Sequence, residues 1–216
     1  MGKENSRLSL LLGDGPLRVG GITYYLQYGK VRACLSSRKK RTHRSEAEIA
    51  SSSRFAEARK LWKMYRRGVG ELPVWQAAAR LWGKKSDSLF HSLNVGCLSP
   101  GIGVRDFSLF HFSLGALDPS PIVKLRRQGW QFSFSWPVDD SRPSAAWDDR
   151  VYVGYFYDTY PGTPLLMALE GITRKHGYAF FTLPDNGQPA DTPVHLYVFF
   201  GNAEGTAFSS SVYLKG

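Results

Sequence analysis

Trp130-Gln131-Phe132-Ser133-Phe134-Ser135-Trp136 places four large aromatic residues on one side of an extended chain and three small or polar residues on the other. Side chains alternate across a strand, so this period of two describes a β-strand with one face in a core and the other in water. The same alternation recurs at Val151, Val153, Tyr155 and Tyr157, and again at Val194, Leu196, Val198 and Phe200. Clusters of turn-forming residues separate the runs at 139–143, 158–164, 184–193 and 201–205. Several short strands broken by such turns predict an antiparallel β-sandwich over residues 104–216.

Upstream the period changes. Phe107 and Leu109 begin a less regular alternation, broken where His111 takes a position expected to be apolar. Residues 96–103, rich in Gly and Pro, interrupt both patterns and mark the expected domain boundary. Before them, Pro73 suits the first turn of a largely buried helix over 74–82, and a short helix over 87–93 presents Leu89, Phe90 and Leu93 inward. Ser45 and Glu48 have capping-box spacing for a longer helix running to Arg67, where Gly68 is the expected stop. Phe55, Ala58, Leu61, Trp62 and Tyr65 share one face of that helix; Arg59, Lys60, Lys63, Arg66 and Arg67 share the neighbouring one. Nearer the N-terminus, Ile22, Tyr24 and Leu26, then Val31, Ala33 and Leu35, predict a β-hairpin turning at Tyr28-Gly29. Gly20 and Gly21 precede this strand instead of linking a strand to a helix, so they read as turn residues, not a phosphate loop. The fold class expected is therefore α+β, with a hairpin and helical region over residues 1–100 joined to the sandwich.

Charge follows the same division. Residues 1–100 carry 19 Lys/Arg against 7 Asp/Glu, a net of +12, whereas residues 101–216 carry 9 against 11, a net of −2. The excess concentrates in residues 38–67, with 11 basic and 3 acidic side chains, beginning with Arg38, Lys39, Lys40 and Arg41. A cationic segment of this kind meets an anionic partner or stays solvated. The apolar run from Leu8 to Leu12 is too short for a signal h-region or a membrane span, so the cytoplasm or an assembled particle is the expected location. Cys34 and Cys97, far apart in a chain of 216 residues, read as two reduced thiols.

No catalytic, cofactor or metal site is expected. None of His43, His91, His111, His176 and His195 stands at metal-ligand spacing from a Cys, Glu or second His. Asp139-Asp140 and Asp148-Asp149 are neighbours in turn segments, where adjacent carboxylates point apart and serve turns or caps.

The segment from about Trp130 to Leu214 resembles a fibronectin type III-like or related immunoglobulin-like sandwich, on Trp136-Pro137 and on Asn202-Ala203-Glu204-Gly205 before a Ser-rich last strand at 209–213. The tyrosine of that pattern is replaced by Val194. Over its full length the chain is also similar to an uncharacterised family of Bacteroidota proteins, on Gly20-Gly21, Gly29-Lys30, Arg32, Arg54-Phe55, Ser113-x-Gly115-x-Leu117, Trp130, Trp136 and Asp149. That resemblance implies a bacterial protein linked to phages or mobile elements, with no activity or site residues to carry over.

The expected function is that of a non-enzymatic structural or protein-interaction component, self-associating or binding a protein partner. The alternative is nucleic-acid binding by the basic segment, with Trp62 and Tyr65 stacking beside its cations. Glycan binding on Tyr152, Phe156 and Tyr160 is a further variant of the interaction reading.

Overall fold

The computed structural model describes residues 12, 15–27, 30–37, 43–138 and 144–216. The expected turn residues Tyr28-Gly29, the connector Arg38, Lys39, Lys40 and Arg41, the pair Asp139-Asp140 and most of the apolar run from Leu8 lie outside the described residues. The chain is α+β, as its patterns predict, and divides into two units, residues 1–46 and 47–216.

The first unit is a three-stranded antiparallel sheet of β1 (Leu17–Val19), β2 (Ile22–Gln27) and β3 (Lys30–Leu35). β2 and β3 form the expected hairpin, with Gln27 opposite Lys30, while Gly20 and Gly21 turn β1 into β2 at φ of 57° and 81°.

The second unit has three layers. Helices α1 (Glu46–Val69), α2 (Val74–Leu81) and α3 (Ser86–Asn94) make the first. After a small hairpin of β4 (Leu98–Ser99) and β5 (Gly103–Val104), seven strands follow: β6 (Lys124–Gln128), β7 (Gln131–Ser135), β8 (Arg150–Tyr157), β9 (Leu165–Thr173), β10 (Tyr178–Thr182), β11 (Val194–Gly201) and β12 (Val212–Lys215). They build two antiparallel sheets, ordered β12-β11-β8-β9 and β10-β7-β6. Between the sheets lie Phe132, Phe134 and Trp136 with Val151, Val153, Tyr155, Val194, Leu196 and Phe200. The alternate residues of β8 and β11, among them Tyr152, Phe156, Tyr197 and Phe199, face the opposite way and are buried beside Leu61, Tyr65, Trp75 and Phe90 of the helices.

Four expectations are corrected. Residues 96–103 do not separate two domains: they hold the β4–β5 hairpin, and Cys97, Leu98 and Val104 share the core between the helices and β8–β11. Gly68 is not the stop of α1, which continues to Val69; Gly70 takes the left-handed φ of 67°, and a Cβ on Gly68 would collide with the Pro164 carbonyl. Phe107 to Leu109 is a 3-10 turn, not a strand, because Phe107, Phe110 and Phe112 are all drawn into the helix–sheet core. Phe55 and Leu93 are exposed; Asn94 is buried in place of Leu93, its amide accepting from His111 N–H at 2.8 Å and donating to the His111 carbonyl at 3.2 Å.

Candidate interaction surface

α1 is the element that carries the predicted site. Its Ala58, Leu61, Tyr65 and Val69 are buried at spacings of three and four, and this fixes which side faces out. Arg59, Lys60, Lys63, Arg66 and Arg67 are all exposed. They stand beside two grooves. Lys63, Arg66 and Arg67 line a groove of about 570 Å³ with Trp62, Glu71, Leu72 and Gln76. Arg59 lines a second groove of about 450 Å³, between α1 and α3, with Phe55, Asp87 and His91. Lys60 reaches back to Glu57 at 3.7 Å. Among the described residues, Arg59, Lys63, Arg66 and Arg67 make no ion pair. Arg66 and Arg67 stand in the last turn, where their charge also complements the helix dipole.

The aromatic residues beside the stripe belong mainly to the core. Tyr65 is buried, donates its hydroxyl to the Phe112 carbonyl at 2.9 Å, and stacks on Trp62 with ring centroids 5.9 Å apart. Burial holds its hydroxyl well above the ordinary tyrosine range. Trp62 is half-buried, packed against Phe90, and lines the groove. Tyr152 and Phe156 are likewise buried, so of the three aromatics expected to meet a glycan only Tyr160 reaches solvent.

Two polar clusters escaped the sequence reading. His195 lies flat against Phe107, with centroids 3.5 Å apart, and engages Tyr213 Oη through Nδ1 at 2.9 Å and Asp158 Oδ1 through Nε2 at 3.0 Å. Burial depresses its pKa more than the Asp158 carboxylate raises it, so the ring is neutral, donating from Nε2 to Asp158 and accepting from the tyrosine hydroxyl. With both nitrogens engaged, this imidazole ties β11 to β12 and to Asp158 beyond the end of β8. The other cluster joins Asp149 to Arg174, while the adjacent Asp148 is exposed. Asp149 Oδ2 also accepts from Ala146 N–H at 3.0 Å, the one part of the expected turn role that the pair retains.

The thiols of Cys34 and Cys97 are free. Among the described residues no group of His, Cys, Asp and Glu has an arrangement suited to a metal ion, and no helix is long and apolar enough to cross a membrane. No protein-family model matches the chain, and no curated protein is similar to it.

Proposed function

We propose that the protein is a non-enzymatic interaction protein whose basic α1 face docks an acidic protein surface within an assembly. The observation that carries this reading is the exposure of Arg59, Lys63, Arg66 and Arg67, none of which makes an ion pair among the described residues, beside a groove with Trp62 and Leu72 in its wall. A partner's carboxylates would supply a counter-charge and steer the encounter. The seven strands, split three and four between two antiparallel sheets, support a fibronectin type III-like sandwich, an architecture shared by many adhesion and assembly modules. The bacterial, phage- or mobile-element-linked setting belongs to the same proposal. The alternative, nucleic-acid binding by residues 38–67, keeps the exposed cations of α1 but loses Tyr65 as a stacking partner.

Retention of the full chain on immobilised poly-L-glutamate and on duplex DNA, at about 0.15 M salt, separates the two readings. We expect retention on poly-L-glutamate that Lys63→Glu with Arg66→Glu abolishes. Retention on duplex DNA alone, abolished by the same pair, would replace the proposal with the alternative.

A further inference from the structure

The outward face of the β10-β7-β6 sheet is unlike the rest of the sandwich. Nine side chains point out from it: Tyr178, Phe180 and Thr182 from β10, Gln131, Ser133 and Ser135 from β7, and Lys124, Arg126 and Gln128 from β6. None is acidic. Tyr178 is 64% exposed and Phe180 57% exposed, which is unusual for two rings on one strand.

Register sets them in rows. Tyr178 stands opposite Ser135, which stands opposite Lys124; Phe180 stands opposite Ser133, which stands opposite Arg126. Each row is therefore a ring, a serine and a cation, and the short serines leave a trough of about 180 Å³ between the ring strand and the cation strand. The third row, Thr182, Gln131 and Gln128, has neither ring nor charge. Arg127, the remaining cation of β6, is committed internally: its guanidinium lies over Trp130 and Phe132 and donates to the carbonyls of Ala190 and Thr192. Lys124 and Arg126 make no ion pair among the described residues.

We propose that this face binds single-stranded nucleic acid, one nucleotide per row, with bases stacked on Tyr178 and Phe180 and phosphates over Lys124 and Arg126. The two rings sit two residues apart on a strand, about 6.6–6.8 Å, and the two cations share that pitch on β6. This is about twice the 3.4 Å rise of a stacked strand, so the platform suits splayed, unpaired bases, not a duplex. Rings and cations are two strands apart, about 9.4–9.8 Å, with the serine hydroxyls lying under the sugars between them. A neutral glycan leaves the cations without a purpose, and an acidic protein segment leaves the rings without flat partners. Base stacking on aromatic rings beside a cationic track meets both requirements. The site is distinct from α1, which packs on the other side of the four-stranded sheet.

Fluorescence anisotropy of a labelled oligothymidylate, titrated with the full chain at several salt concentrations, tests the proposal. Tyr178→Ala and Phe180→Ala should each weaken binding about fivefold or more, and Tyr178→Phe should not. Lys124→Gln with Arg126→Gln should lower the slope of log affinity on log salt by about 1.4, the share of two single-strand phosphates. These losses should persist in the Lys63→Glu, Arg66→Glu background, which separates this face from α1. Because the altered side chains are exposed, thermal unfolding should be unchanged. Undiminished affinity in both alanine variants overturns the proposal. Equal competition by polygalacturonate or poly-L-glutamate at matched charge overturns it in favour of another polyanion. Dissociation of a dimer by Tyr178→Ala in sedimentation overturns it in favour of a second copy.

Discussion

Arg174 and Asp149 form an ion pair sealed inside the sandwich: Nε lies 2.9 Å from Oδ2, with side chains only 4% and 1% exposed. The guanidinium also donates to Ser120 Oγ at 2.7 Å and to the Asp118 carbonyl at 2.8 Å, and lies over the Phe200 ring at 4.0 Å. One side chain thus joins the segment before β6, the approach to β8 and the turn after β9. Removing one partner of a buried pair strands the other charge and costs about 3–5 kcal/mol. Arg174→Met should therefore destabilise by about that amount in urea unfolding, and Arg174→Met with Asp149→Leu should recover part of the loss. A cost for Arg174→Met below about 1 kcal/mol would show that the pair is not what holds these segments.

Trp136 is the second fixed point of the same region. Its indole is buried against Phe134 and Phe200, and its Nε1 donates to the Arg174 carbonyl at 2.8 Å. Trp136→Ala removes a buried ring and one of the hydrogen bonds that the Arg174 carbonyl accepts, the other coming from Gly177 N–H at 3.3 Å, so it should cost about 3–5 kcal/mol, mostly from the lost ring. A loss below about 1 kcal/mol in the same unfolding assay would contradict the burial.

The strands that read clearly in the sequence are those with one polar face. β7 alternates Phe132 and Phe134 with Ser133 and Ser135, and its period is unambiguous. β8 and β11 were found from half of their residues: Tyr152 and Phe156, or Tyr197 and Phe199, are as apolar as the residues between them. A strand apolar on both faces is buried on both, and that continuous run was the available sign of a helical layer behind the sheet. β6 and β10 were missed for other reasons. Lys124-Leu125-Arg126-Arg127-Gln128 carries one apolar residue, and Tyr178-Ala179-Phe180-Phe181 does not say which rings face out. The cations of α1 were legible because helical spacing places them opposite Leu61 and Tyr65. The Asp149–Arg174 pair was not, because a contact between residues 25 positions apart leaves no local pattern.

The helical layer and the sandwich share one core, so they should not come apart at residues 96–103. A fragment of residues 104–216 would strip Tyr65 and Phe90 from Phe112 and Phe110, the rings that lie between the helices and Phe156 and Tyr197 of the sheet. Burial of such rings stabilises by roughly 1.5–3 kcal/mol each, comparable in sum to the whole stability of a small domain. The fragment 104–216 should be aggregated or unfolded by circular dichroism, whereas 47–216 should unfold as one cooperative unit. A soluble, cooperatively folded 104–216 fragment would show that the helices are dispensable.

Acid should weaken the protein well before its carboxylates titrate. Burial is the main cause that holds the imidazoles of His195 and His91 below their ordinary pKa of about 6.5. In the unfolded chain these rings take up protons at the ordinary value, and the folded chain resists them. The unfolded state therefore binds more protons below pH of about 6.5, and folding stability falls as pH drops through that value. Above it the contribution is complete and flat. The carboxyl of Asp106, held low chiefly by the Ser108 hydroxyl, stays ionised throughout this range and adds nothing to the change. Tm measured from pH 7.5 to 5.5 should hold steady and then decline as the medium acidifies past about 6.5. His195→Gln with His91→Gln should be less stable at neutral pH, because the Asp158 and Tyr213 partners of His195 are then imperfectly met, yet flatter across the same range. A parent Tm that rises on acidification would mean that the Asp158 carboxylate outweighs burial and that His195 is charged in the folded state.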